Sequence, residues 1–358
     1  MVEPGQNRGM KLDLKAGEWV EVRSQAEILA TLDEKGWLEG LPFMPEMLQY
    51  CGQKLQVYKR ADKTCDTVVP WGIRRMENSV HLETRCDGSG HGACEAGCLI
   101  FWKEAWLKRV EKDVVPSENL RTMRPAFPNK GFVTVESLLA AGQRVNAEGE
   151  TIYTCQATEL HNFTSEMKMW DLRQYIRDIR SGNLASGFPA NSRAERVLET
   201  ALIVIKVIRA FVLSLVREHM GISYPPVAGT LTKTPIEVLD LQPGELVQVR
   251  SREEIIATLD KNKRNRGLLF DGELLPFCGG IYRVLRRVHH IVDERSGKMI
   301  DMKNPCIVLE GVFCKSDYNR FCPRAIYCYW RENWLRRVSA DSLPAPRQRE
   351  QEMEACPQ

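Results

Sequence analysis

Trp19, Val20, Glu21 and Val22 alternate between apolar and polar side chains behind Gly17 and Glu18, which predicts a half-exposed strand. Ser24 and Glu27 follow with the S-x-x-E spacing of a capping box, in which the Ser accepts from a free backbone N–H and the Glu reaches back. A short helix is expected there, with Ile28, Leu29 and Leu32 on one face. Loops containing Gly36, Gly40 and Pro42 come next, then strands over residues 55–59 and 79–85. The segment WKEAWLKRV over residues 102–110 suits a short amphipathic helix or a final strand. Its Trp102 and Trp106, spaced i and i+4, read as core.

The whole pattern occurs twice. Residues 13–33 read DLKAGEWVEVRSQAEILATLD and residues 240–260 read DLQPGELVQVRSREEIIATLD, with fourteen of 21 positions identical and no gap. Ser251 and Glu254 repeat the capping box, and Ile255, Ile256 and Leu259 repeat the apolar face. Cys278 answers Cys51, Val284 answers Val57, Cys314 answers Cys86, and Cys322 answers Cys94. Trp330 and Trp334 answer Trp102 and Trp106. Strands are expected again over residues 282–286 and 306–313. Each repeat is small, strand-rich and punctuated by glycine, which fits a small open barrel with one inserted helix. The expected fold class is α+β, with two homologous small barrels joined by a partly helical middle. The expected boundaries are 12–112 for the first repeat, 113–238 for the connector, 239–338 for the second repeat and 339–358 for a polar tail.

Inside the connector, residues 114–130 are rich in Pro, Asn and Arg and read as a linker. Strands are expected at 132–139 and 150–158, a helix at 164–179, a loop at 181–189 and a long apolar helix at 193–219. Residues 201–216 are apolar except for Lys206, Arg209 and Ser214. The stretch is shorter than the ~20 residues that span a bilayer, so a buried helix is expected, with peripheral membrane contact as the second reading.

Composition changes this picture in two ways. The 358 residues carry 50 Lys and Arg against 47 Asp and Glu, a net +3 that argues against a dedicated nucleic-acid binder and leaves a protein or a small molecule as the expected partner. The twelve cysteines are clustered, and the N-terminus lacks the apolar core of a secretory signal. A cytoplasmic location is expected, where clustered thiols are metal ligands or redox groups rather than disulfides.

The first cluster is Cys86-x4-His91-x2-Cys94-x3-Cys98, with glycines that let several side chains converge on one ion. Cys65 offers a further thiolate from the preceding strand. The second cluster, Cys306, Cys314, Cys322 and Cys328, keeps the C-x7-C spacing, with Asn319 where the first has His91. The expected ligands are therefore Cys86, His91, Cys94, Cys98 and Cys65 in the first repeat, and Cys306, Cys314 and Cys322 in the second, completed by Cys328 or His290. Zinc is the expected metal. A second site is less well supported, because CPRAIYCYW is more apolar than CEAGCLIFW. Cys51 and Cys278 read as core thiols. Cys155, in TCQATE, is open between a structural thiol, a ligand donated to the first site and a catalytic nucleophile. No nucleophile elbow, Walker loop, dinucleotide fingerprint or H-E-x-x-H is present.

The paired openings GEWVEVRS and GELVQVRS, with the endings FWKEAWL and CPRAIYCYWRENWLRRV, resemble an uncharacterised bacterial family of tandem SH3-like barrels, a resemblance that implies a fold but no activity. CDGSGH resembles the CDGSH iron–sulfur signature, in which three Cys and one His hold a two-iron cluster. Here Gly90 is inserted before His91 and no C-x-C pair lies upstream. The function expected is a metal-binding accessory or assembly protein. The alternative is an iron–sulfur or metal-dependent enzyme centred on the first cluster.

Overall fold

Ser24 starts the fold's first helix as its spacing requires. Its hydroxyl accepts from the Glu27 N–H, and the Glu27 carboxylate accepts from the Ser24 N–H at 3.0 Å. Removing this cap with Ser24→Ala is expected to cost about 1 kcal/mol, read as a small fall in the thermal midpoint. An unchanged midpoint would show that packing alone fixes the helix. The computed structural model describes residues 11–69, 72–110, 133–168, 170–184, 193–220, 228–316 and 319–338. The expected linker at 114–130 and tail at 339–358 lie outside them, as does most of the loop at 181–189.

The protein is α+β, with more strands than helices and a sheet curled into a half-barrel. It divides into two units. The first comprises residues 1–222 with 290–301 and 315–326, and the second comprises 223–289, 302–314 and 327–358.

In the first unit, β1 (Trp19–Val22), β2 (Lys54–Arg60), β3 (Ser79–Arg85), β4 (Leu99–Lys103) and β5 (Leu107–Arg109) form one sheet in the order β4-β3-β2-β1-β5. Every pairing is antiparallel. Helix α1 (Gln25–Leu29) buries Ile28 against the sheet's core, where Val20, Val22, Phe43, Met47, Val57, Trp102 and Trp106 meet. Both tryptophans are core, as expected, but no helix carries them. The chain runs through β4, one 3-10 turn at Glu104–Trp106 and then β5. The turn folds the chain back so that both rings enter the same core. Trp106 Nε1 donates to Thr31 Oγ1 at 3.0 Å, which satisfies the indole N–H.

Glu104 is fully buried, and its carboxylate closes this core. Oε1 accepts from the Leu14 N–H at 2.9 Å and from Arg60 Nη1 at 2.7 Å, and Oε2 accepts from the Leu12 N–H at 2.9 Å. Asp13 lies between them at φ +52°, and that turn points successive N–H groups at one anion.

The connector departs from expectation at four places. Residues 135–141 form helix α2 (Val135–Ala141) rather than a strand, because Thr134 and Ser137 cap each other. The strand expected at 150–158 is only Thr151–Tyr153. The helix expected at 164–179 is α3 (Arg173–Arg180) alone, because Ser165 and Glu166 pair as a strand with Arg75 and Arg74. Helix α4 (Arg193–Met220) matches the long apolar stretch, and among the described residues no helix is long and apolar enough to cross a membrane. It is not buried as a whole. Ala210 packs beside Tyr175 and Phe321, whereas Val197, Leu198, Leu202, Ile205 and Ile208 are exposed.

In the second unit, β6 (Leu246–Val249), helix α5 (Arg252–Ile256), β7 (Ile281–Val292), β8 (Met299–Phe313), β9 (Tyr327–Trp330) and β10 (Leu335–Arg337) give a sheet ordered β9-β8-β7-β6-β10. Val247 faces Tyr282 and Arg337 in this sheet, as Val20 faces Leu55 and Arg109 in the first. Trp334 Nε1 donates to Thr258 Oγ1 at 3.0 Å. Glu332 accepts from the Leu239 and Leu241 N–H groups and from Arg287, with Asp240 at φ +49°. The tip of the long β7–β8 hairpin, 290–301, belongs to the first unit.

Candidate metal centre

Cys86 follows the last residue of β3 and opens a loop that Cys98 closes, with the Cys86 N–H donating to the Cys98 carbonyl at 2.9 Å. Between them the chain doubles back tightly. The N–H groups of His91 and Ala93 both donate to the Gly88 carbonyl. Gly88 sits at φ +75°, where a Cβ would lie 2.2 Å from the Cys94 carbonyl oxygen, so only glycine permits this crossing.

The fourth wall comes from the connector. Gln156 is buried and bonds like a missing strand: its Oε1 accepts from the Phe101 N–H at 2.8 Å, and its Nε2 donates to the carbonyls of Phe101 and Pro42, each at 3.0 Å. That anchor holds the neighbouring Cys155 against β4. Cys86, Cys94, Cys98 and Cys155 thereby line one cavity of about 40 Å³. Its remaining walls are mainly apolar, from residues such as Met44, Leu99, Ile100, Phe101, Ala157 and Val292, with the polar His91, Gln156 and buried Arg324. Arg324 Nη2 donates to Glu294 at 2.9 Å. Cys94 Sγ accepts from the Val292 N–H at 3.3 Å. Burial pushes the thiols of Cys86, Cys98 and Cys155 upward, Cys98 to about 12 and Cys155 to about 11. In such surroundings a thiol keeps its proton unless a cation displaces it.

His91 lies at the same place with a different job. Its Nδ1 is 2.6 Å from Glu46 Oε1 and its Nε2 is 3.0 Å from the Thr154 carbonyl. Both neighbours are acceptors, so the ring serves them best with two protons, which leaves no lone pair for a metal. Burial alone would lower the His91 pKa, but the bond to Glu46 outweighs it and the net shift is upward. Glu46 also accepts from the Gly90 N–H at 3.0 Å and from the Cys86 thiol at 3.6 Å. Among the described residues, Glu46, Cys86 and His91 are the one group whose ligand atoms all lie within 4.8 Å of one another, a possible metal-binding triad; the sulfurs of Cys86, Cys94, Cys98 and Cys155 line the same cavity but are farther apart than that.

The other expected ligands separate. Cys65 meets Cys322, whose sulfur accepts from the Cys65 N–H at 2.9 Å. Cys306 lies buried on β8 with Arg331 Nη1 3.4 Å from its sulfur, and Cys328 belongs to the second core. Cys314 follows the end of β8 in the second unit, whereas Cys322 belongs to the first. His290 Nε2 lies 3.0 Å from the Ala93 carbonyl. Cys51 and Cys278 pack against the two cores. Sequence reasoning missed Glu46, Gln156 and Arg324, none of which carries a local signal. Comparison with protein-family profiles, with characterised proteins and with solved structures finds no match to this chain.

Proposed function

We propose that the protein is a zinc-binding accessory factor for protein assembly, built by duplication of a small SH3-like barrel, with its ion held by Cys86, Cys94, Cys98 and Cys155. The observation that carries this reading is that four cysteines line one small, largely apolar cavity, so that an ion there would draw their sulfurs together. Four thiolates are a complete donor set for a structural zinc, which leaves no open position for substrate. Zinc with four thiolates carries a net charge of −2, and Arg324 in the wall offsets part of it. The volume suits a single ion better than an iron–sulfur cluster.

Duplication is supported by the matching sheet orders and by contacts between equivalent positions within the first unit. Thr67 bonds Glu294 and Val68 accepts from Arg295, each pair being 227 residues apart. The Cys65 N–H bonds Cys322 as the Val292 N–H bonds Cys94. The exposed aliphatic face of α4 supports a protein partner.

Elemental analysis of the purified chain tests the metal, with about one zinc per chain expected. His91→Ala should keep that zinc while Cys155→Ser loses it. The reverse result would move the site to the triad of Glu46, Cys86 and His91. A brown protein containing iron would replace zinc by a cluster.

A further inference from the structure

We propose that Cys65 and Cys322 form a peroxide-responsive dithiol, distinct from the metal ligands, that closes to a disulfide. The two residues are 257 apart in sequence, yet the Cys65 N–H lies 2.9 Å from the Cys322 sulfur. The side chains also hydrogen-bond each other. The pair is buried with Ile73, Met167 and Ile326 around it. Two cations face it. Lys63, held at 2.6 Å by Asp178, acts on Cys322 from the strand that carries Cys65, and Arg324 lies two residues beyond Cys322 with Nη1 3.4 Å from the Cys65 carbonyl. This setting differs from that of the zinc cavity. There burial raises the thiols, whereas at Cys322 burial is outweighed by the bonds from Cys65 and Arg324 and by the Arg324 charge, bringing the thiol down to about 6. A thiolate within reach of a second thiol is the arrangement of an attacking and a resolving cysteine.

The oxidant is a small hydroperoxide, hydrogen peroxide itself, because the burial of both thiols excludes a bulky disulfide reagent. The Cys322 thiolate attacks one peroxide oxygen, the O–O bond breaks, and the released hydroxide takes a proton from solvent to leave as water. The resulting sulfenic acid is attacked by the Cys65 sulfur. An S–S bond forms, and the hydroxyl leaves with the Cys65 proton as a second water. The two sulfurs together give up two electrons, and the peroxide takes both.

The full-length, zinc-loaded chain is treated with hydrogen peroxide, alkylated after denaturation and mapped by mass spectrometry. The expected product is one crosslink joining the Cys65 and Cys322 peptides, with the zinc content unchanged. Cys65→Ser should instead leave Cys322 as a sulfenic acid trapped by dimedone. Reduced Cys65 and Cys322 at a peroxide dose that oxidises free glutathione would overturn the proposal, as would a crosslink confined to Cys86, Cys94, Cys98 or Cys155. Because the crosslink is read on the unmutated chain, the result stands even if a variant folds poorly. Zinc is measured separately, so failure of the zinc reading leaves this test intact.

Discussion

Cys98→Ser is expected to purify with almost no zinc and to melt well below the unmutated protein. Serine oxygen is a poor zinc ligand, and Cys98 sits in a closed loop that holds it at the cavity wall. Metal that binds only the folded chain stabilises it by mass action, by about 4 kcal/mol when free zinc stands at roughly a thousand times Kd. For a body of ~150–250 residues that is a fall of about 8–16 °C in melting temperature. A chelator applied to the unmutated protein should reproduce the fall, and added zinc should reverse it. A Cys98→Ser protein that keeps its metal and its melting point would remove the cavity from any functional account. Cys306→Ser, in the second unit, should lose no zinc and cost only on the order of 1–3 kcal/mol.

Glu104→Ala is expected to be the most damaging single change in the first unit outside the metal centre. It leaves the Leu12 and Leu14 N–H groups without their acceptor and removes the shortest of the ion pairs to Arg60. Breaking a buried pair from one side costs about 3–5 kcal/mol. Arg60 keeps Asp62 at 2.9 Å, which places the cost toward the lower figure. Glu332→Ala removes the matching clasp in the second unit, but Arg287 is less buried than Arg60, and a smaller loss follows. Hydrogen exchange read on peptides covering residues 12–22 and 239–249 separates the two. Each variant should loosen its own segment, and Glu104→Ala more strongly. Equal or absent loosening would show that the carboxylates only fill space.

What the sequence reveals here depends on distance along the chain. The capping boxes at Ser24 and Ser251 and the alternation of β1 were legible because they are settled within five residues. The tryptophans were legible as core, but the segment that carries them read equally as a short helix or a final strand, and the chain instead combines a strand, a 3-10 turn and the final strand. Helix α2 was missed because its cap pairs Thr134 with Ser137, not with an acidic residue. The helix expected from residue 164 fails in its first half because a strand partner at Arg74–Arg75, ninety residues away, competes for that backbone. The same limit governs the site. Cys86, Cys94 and Cys98 announce themselves by spacing. Cys155 reaches them only because Gln156 is bonded to β4, and the meeting of Cys65 with Cys322 has no local trace at all.

The origin of the cavity's walls has a consequence for how this chain can be divided. Val292 and Arg324 come from the second sequence repeat, while all four sulfurs come from earlier in the chain. A chain cut after Ile222 would keep every cysteine of the centre and lose two of its walls, exposing the thiols to water and to stray oxidation. The halves are therefore not interchangeable modules.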